Sequence, residues 1–375
     1  MTIFLDHNST TPLLPKAFEE MKPYFEELFF NPSGIHGACE RINEQIEIWR
    51  YSISRHISNK KGQLIFTASA TEANNFVLKQ DMFQSVVTIA IEHPSVIVPA
   101  LYCHPDKVYL VKVDEAGLID LDDLESKIKL AKMNGRTLVS IQYANSVIHT
   151  IQPVSSISKI CREMDVNFHI DATQAFGRIC MPDIDVDFIT VSAHKCYGPK
   201  GIGGLWISER ILSERLVPLI HGGHQESSLR AGTYNVSSII GFKIASDYMY
   251  ENIENHTLHI NSLVSKFWNE FVEVLPDASI NGDLNNRIPG GLSISVKGVD
   301  IRSIILGLPD IIISSGMSCS SKESDPVLKA IGRQDLVRCT FRMQIGFENT
   351  ENEIDIAVKK ISGLIKQSRS FWGYI

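Results

Sequence analysis

A lysine stands at an unusual place in Ser192-Ala193-His194-Lys195-Cys196-Tyr197-Gly198-Pro199-Lys200-Gly201, directly after Asp187-Phe188-Ile189-Thr190-Val191. The preceding run is apolar on both pleat faces and reads as a buried strand. Lysine is almost never fully buried without a partner. A desolvated amine with a lowered pKa can condense with an aldehyde to give a Schiff base. The plainer alternative is a side chain that snorkels out of a strand end.

Four further stretches bear on that choice. Thr67-Ala68-Ser69-Ala70-Thr71-Glu72-Ala73-Asn74 runs from a strand into a helix through small residues, so an anion could approach the amides at the helix start. An ordinary N-cap followed by an acidic first turn has the same pattern. Ile91-Glu92-His93-Pro94 ends the next strand with an imidazole able to stack on a planar ligand. Phe168-His169-Ile170-Asp171-Ala172-Thr173-Gln174 ends another with a buried carboxylate, which needs a partner. A protonated ring nitrogen would serve, and so would a nearby arginine such as Arg178. Last, the glycine-containing loop from His221 to Thr233 precedes a helix and offers a phosphate contact or a plain connection. An amine poised to form an imine, a carboxylate facing a ring nitrogen and phosphate-binding helix starts are together what pyridoxal phosphate requires.

The elements that must carry these residues follow from periodicity. Helical spacing marks segments 14–30 and 36–58, the latter through Ile42, Ile46, Trp49, Ile53 and Ile57. Between them Asn31-Pro32-Ser33-Gly34 reads as a loop. Strands are predicted at 64–66, 86–91, 108–113, 138–143, 166–170, 188–191 and 204–207, alternating with helices such as 71–80. Alternation of this kind implies a mostly parallel sheet covered on both faces, with ligands beyond the strand carboxyl ends. A helical stretch over 236–275, with a break near Asn255-His256, leads towards a second unit. There the strands are 291–296, 311–313 and 337–345, and the helices 300–306 and 351–369.

Composition narrows the class. At 375 residues and 44% apolar content the chain can bury a large core in two domains. A net charge of −7 favours neither nucleic acid nor an anionic membrane as a direct partner. No apolar run approaches a membrane span, and a secretory signal is not expected. Seven cysteines without a C-x-x-C pair argue against a disulfide framework and a zinc site, so no metal is expected and the cytoplasm is the natural assignment. Six of the seven have apolar or helical contexts or sit beside Lys195. Cys319 alone lies in a polar run of small residues, Ser314-Ser315-Gly316-Met317-Ser318-Cys319-Ser320-Ser321. Such a run exposes the thiol, which taken alone reads as an incidental loop cysteine or as a reactive one.

The stretches Leu5-Asp6 with Thr10-Thr11-Pro12, Ala70-Thr71-Glu72, Asp171-Ala172-Thr173-Gln174, His194-Lys195 with Tyr197-Gly198-Pro199-Lys200-Gly201, and Arg230-Ala231-Gly232-Thr233 resemble the class V aminotransferase superfamily, and within it the cysteine desulfurases. The resemblance runs in order over nearly the whole chain. It implies an α/β protein of pyridoxal-phosphate fold-type I: a large domain (13–250) with a mostly parallel seven-stranded sheet, and a smaller α+β domain (1–12 and 251–375) carrying the cysteine loop. It makes Lys195 the Schiff-base lysine, Asp171 the partner of the pyridine nitrogen, His93 the stacked and catalytic imidazole, and Gln174 a contact of the phenolic oxygen. Ala70, Thr71, Ser192 and His194 would hold the phosphate, with Thr233 reaching over from the other subunit of a homodimer. Cys319, in a Ser-Ser-Gly-x-x-Cys pattern, would carry a persulfide taken from L-cysteine and pass it to a protein sulfur acceptor, leaving alanine. Arg342 would bind the substrate carboxylate, with Asn31 a second contact.

Where the family has Asn-Asn-Glu, a hydrophobic residue and glycine, this chain has Asn145-Ser146-Val147-Ile148-His149. Ser146 then falls at the second asparagine, a cofactor contact. His224, Ser227 and Ser228 are further departures. Two other readings remain open at this point: a related enzyme such as a selenocysteine lyase or transaminase, and a scaffold or regulatory protein of the same fold with weak turnover.

Overall fold

In the computed structural model of the protein, the described residues are 2–316, 325–371 and 373. The chain opens with β1 (Ile3–Phe4), α1 (Pro15–Met21), α2 (Pro23–Glu26) and α3 (Gly37–Ile57). Ile42, Ile46, Trp49, Ile53 and Ile57 line the buried face of α3. Burying each such isoleucine contributes about 2 kcal/mol. There follow β2 (Gly62–Thr67), α4 (Ala70–Leu78), β3 (Ser85–Ile89), α5 (Pro94–Cys103), β4 (Val108–Val111), α6 (Leu121–Lys132), β5 (Thr137–Gln142), α7 (Val154–Glu163), β6 (Asn167–Asp171), β7 (Phe188–Ser192), β8 (Gly203–Ser208), α8 (Glu209–Leu212) and α9 (Val236–Glu251). The last part holds α10 (Ile253–Val274), β9 (Ser279–Ile280), β10 (Gly291–Ser295), α11 (Ile301–Leu306), β11 (Ile311–Ile312), β12 (Ser314–Ser315), α12 (Pro326–Ala330), β13 (Thr340–Gln344) and α13 (Glu351–Phe371).

Seven strands form the central sheet in the order β2-β8-β7-β6-β5-β3-β4. All neighbours are parallel except β8, which runs antiparallel to both β2 and β7. Every residue of β3, β5, β6 and β7 is buried, as expected for strands covered on both faces. Gln142, Asp171 and Thr190 stand in register at the carboxyl ends of β5, β6 and β7. The turn after β7 therefore emerges beside Asp171.

A second sheet, β12-β13-β10-β9, and the two-stranded pair β1-β11 belong to the other core. That core gathers Ile3 and Leu5 with Leu263, Phe267, Phe271, Ile294, Phe341 and Ile361. Two expectations about this region are corrected. The helical stretch over 236–275 breaks at Asn252, not near Asn255-His256. Asn252 caps α9 by donating from Nδ2 to the Tyr248 carbonyl at 2.8 Å, while His256 stays in the next helix through its bond to the Asn252 carbonyl. Residues 334–339 form a 3₁₀ turn, and the strand begins only at Thr340. Val337 packs into the large core, whereas Phe341, Met343 and Ile345 face the other one, so the apolar alternation spans two environments.

Candidate active site

A cavity of about 270 Å³ opens at the carboxyl ends of the central strands, lined by Ser69, Ala70, Thr71, His93, Ser95, Gln142, Ala144, Ser146, Asp171, Thr173, Gln174, Ser192, His194 and Lys195. Lys195 ends a single 3₁₀ turn, Ala193–Lys195, that starts where β7 stops. Its amine donates to the backbone carbonyls of Asn8 and of Ser9, the latter at 2.8 Å. Carbonyls leave an ammonium less compensated than a carboxylate would. Burial first, then the Arg178 guanidinium, lowers the Lys195 pKa to about 7, against the opposing pull of Asp6 and Asp171. The amine is thus half deprotonated near neutrality and able to attack an aldehyde.

Asp171 closes the opposite side. Its Oδ1 accepts from the Thr173 amide at 3.0 Å and its Oδ2 from Asn74 Nδ2 at 2.8 Å. Arg178 does not serve as its partner. That side chain turns to Asn8 Oδ1 (2.9 Å), Gln174 Oε1 (2.8 Å) and the His7 carbonyl (2.5 Å). The donors to both carboxylate oxygens are therefore neutral groups. Behind it, the buried Glu92 is pushed well above the ordinary carboxylate pKa by burial and by Asp171.

The helix start at Ala70 and Thr71 faces the same cavity. Ser69 caps α4 by accepting the Glu72 amide at 3.2 Å. Gly203 lies directly beneath: a Cβ there would meet Ser69 C at 3.0 Å and Ala70 N at 3.1 Å. Only glycine lets the first turn of α4 sit down on the sheet. Nearby, His194 accepts or donates at Nδ1 with Thr10 Oγ1 (3.1 Å), and burial with Lys195 and Lys200 depresses its pKa to about 4. His194 is neutral at physiological pH and offers a hydrogen bond, not a charge, to an anion.

Arg342, in the middle of β13, reaches over from the second sheet. Its Nη1 lies 3.4 Å from the Ser146 carbonyl, and its buried Nε has no hydrogen-bond partner among the described residues. An unpartnered guanidinium nitrogen beside the cavity suits a carboxylate ligand. Ser146 lines the cavity as the sequence suggested, but Asn145 cannot stand in for it. The Asn145 side chain is consumed by its own turn, accepting from the amides of Val147 (2.7 Å) and Ile148 (2.9 Å) and donating to the Ile91 carbonyl (3.0 Å). His149, at the family's glycine position, keeps the left-handed backbone with φ 65°.

Gln174 spends its amide on Asn8 O (3.2 Å) and Arg178. Thr233 is exposed and lines a separate cavity with Ala68, Arg230 and Gly232. Asn31 is exposed too, its Oδ1 folded onto the Ser33 amide at 3.0 Å. Cys319 lies outside the described residues. Sequence reasoning missed Asn8, whose carbonyl and side chain bind Lys195, Arg178, Gln174, Ser146 and His149. It also missed Asn74, a polar residue on the wholly buried face of α4, and that placement was the available signal. Among the described residues no cluster of His, Cys, Asp and Glu could hold a metal ion, and no helix is long and apolar enough to cross a membrane.

The family model described as Aminotransferase class-V matches residues 3–356. A protein of Rickettsia typhi named cysteine desulfurase IscS is 37% identical over 98% of this chain and 92% of its own length. Its Rickettsia prowazekii counterpart of the same name is 36% identical over the same shares. Among solved structures, a protein titled NifS-like superposes with a TM-score of 0.88 at 30% identity, over 98% of this chain and all of its own. The NifS-like protein from Rickettsia africae gives 0.89 at 28% identity over the same shares.

Proposed function

Since the chain belongs to the aminotransferase class-V family, we propose that it is a pyridoxal-phosphate-dependent cysteine desulfurase, converting L-cysteine to L-alanine and a persulfide on Cys319. The observation that carries this reading is the pairing inside one cavity of a lysine amine with a pKa of about 7 and a carboxylate without a cationic partner. The donor set fits a phosphorylated pyridine aldehyde: the helix start at Ala70 and Thr71 with Ser192 and His194 for the phosphate, Asp171 for the ring nitrogen, Lys195 for the aldehyde. When bound, the cofactor supplies an electrophilic carbon for the amine and a ring that stabilises negative charge at the substrate Cα.

The chain's own residues do the rest. Arg342 takes the substrate carboxylate on its free guanidinium edge and orients the Cα–H bond. Lys195, half deprotonated at neutral pH, moves the proton at Cα. The Cys319 thiolate takes the substrate sulfur, so that one thiol and one cysteine give one persulfide and one alanine. A protein acceptor then collects the sulfur. Thr233, exposed here beside Arg230, completes the phosphate site of a second copy, and Asn31 is assigned to substrate contact from its loop. A separate hydrophobic core around the second sheet supports a division into 13–250 and 1–12 with 251–375, although Val327, Leu328 and Ile331 pack into the core of the large part. All six described cysteines are free, which supports a reducing compartment such as the cytoplasm.

The test is turnover of L-cysteine by purified, pyridoxal-phosphate-loaded protein. Stoichiometric alanine and sulfide, lost in Lys195→Ala, is the expected result. Activity on selenocysteine alone, or amino-group transfer without sulfide, would assign a different reaction within the family. A protein that takes up no cofactor would be a scaffold.

A further inference from the structure

We propose that Asn74 and Ser95 are positioning residues that tie Asp171 to His93 and fix the imidazole with its proton on Nε2, so that His93 meets the ligand as a hydrogen-bond donor. The chain of contacts is short and runs from the buried Asn74 and Asp171 through Ser95 to His93 at the cavity wall. Asn74 is fully buried, and its Nδ2 donates to Asp171 Oδ2 and to Ser95 Oγ, each at 2.8 Å. Turning the amide over would set its oxygen against the Asp171 carboxylate, so both hydrogens are committed to these two acceptors. The Ser95 hydroxyl, having accepted from Asn74, sends its own hydrogen to His93 Nδ1 at 2.8 Å. The Ser95 backbone amide donates to the same nitrogen at 3.1 Å, with His93 as the N-cap of α5.

Two donors on Nδ1 leave no room for a proton there, and the neutral ring must carry its hydrogen on Nε2. The charged groups facing His93 are Asp171 from β6, Lys195 from the turn after β7 and Arg342 from β13. Burial holds its pKa below the ordinary histidine value, with Lys195 and Arg342 adding to that and Asp171 opposing. A neutral imidazole at a helix start, presenting Nε2–H to a reacting group, is an electrophilic device known from other enzymes. His93 then stabilises negative charge developing in the cavity without becoming an imidazolium. The same network aligns the Asp171 carboxylate, since Thr173 and Asn74 each hold one of its oxygens.

The role toward substrate rests on the desulfurase reading, whereas the tautomer does not, and the experiment separates the two. The full chain is labelled with ¹⁵N in its histidines, and His93→Gln assigns the His93 signals. With and without pyridoxal phosphate, His93 should show a protonated Nε2 and a bare Nδ1 through neutral pH. Ser95→Ala should raise its titration midpoint, and Ser95→Thr should restore it. Asn74→Leu should weaken pyridoxal phosphate binding about tenfold, the loss of one hydrogen bond to a charged group. An Nδ1–H tautomer or an imidazolium at neutral pH would overturn the assignment, as would an unmoved midpoint in Ser95→Ala. Unchanged affinity in Asn74→Leu would remove the link to Asp171. The expected tautomer in a protein without cysteine turnover would support the network and overturn the desulfurase reading.

Discussion

Ser314 stands directly opposite Arg342 in the antiparallel pairing of β12 with β13. The strand that precedes Cys319 in the sequence is therefore the immediate neighbour of the strand that presents the Arg342 guanidinium. Cys319 follows Ser314 by five positions, a reach of up to about 18 Å along an extended chain. Arg342→Lys should keep a charge but lose the two-pronged geometry. The expected outcome is a KM for L-cysteine raised by about tenfold with kcat less affected, read in steady-state alanine release. A KM that stays put would remove Arg342 from substrate binding.

The thiol prediction is sharper because its product is covalent. Cys319→Ser should load with pyridoxal phosphate normally, retain its visible absorption and form no protein persulfide. Mass spectrometry of the intact chain after a single exposure to cysteine makes the measurement. A persulfide found instead on Cys180, the exposed cysteine among those described, would move the role there.

For the ligand-free protein, Lys195 makes stability depend on pH with a definite sign. Its folded pKa is lowered from 10.5 to about 7, so the unfolded chain binds the proton more tightly. Between pH 7 and 10.5 stability therefore rises with pH, at about 1.4 kcal/mol per unit from this group. Below pH 7 the amine is charged in both states, and the cost of burying it is fully present. Lys195→Met should accordingly stabilise the ligand-free protein most below pH 7, and progressively less towards pH 10.5. Denaturant melts of both proteins across this range check it; parallel pH curves would contradict the lowered pKa.

Arg50 and Glu226 form an ion pair of 2.6 Å in which both side chains are buried, and the Phe66 amide adds a bond of 3.1 Å to the same carboxylate. Glu226, Ser227 and Ser228 all have positive φ, a cluster of left-handed residues that this anchor holds in place. Glu226→Ala leaves the guanidinium charge buried with only the exposed Glu47 beside it. A loss of about 3 kcal/mol in unfolding free energy is expected, measured by denaturant titration. Because the loop leads to Thr233, cofactor affinity should fall with it.

Much of the site was legible because its residues sit at strand ends, where polarity interrupts apolar runs. Lys195 with Ser192, Asp171, His93 and Thr71 come from four separate stretches, and the fold of the central sheet brings them to one cavity. What sequence could not give was orientation. Arg178 was as plausible a partner for Asp171 as any cation, yet Asn8, Gln174 and His7 capture it. The Asn8 and Ser9 carbonyls that receive Lys195 carry no sequence signal, since every residue has one. Residues 337–345 alternate like a strand, but 337–339 are drawn into a 3₁₀ turn because Val337 has a different core to fill.

The pairing of Ile3 and Phe4 with Ile311 and Ile312 has a mechanical outcome. Beyond this pair the chain bonds to β13, the Leu5 carbonyl accepting from the Gln344 amide at 2.7 Å, and then, through the Asn8 and Ser9 carbonyls, receives the Lys195 amine. A tilt of the small sheet that carries Arg342 would pull on this tether and so on the contacts of the lysine. The amino terminus is thereby a mechanical linkage between the two sheets of the molecule.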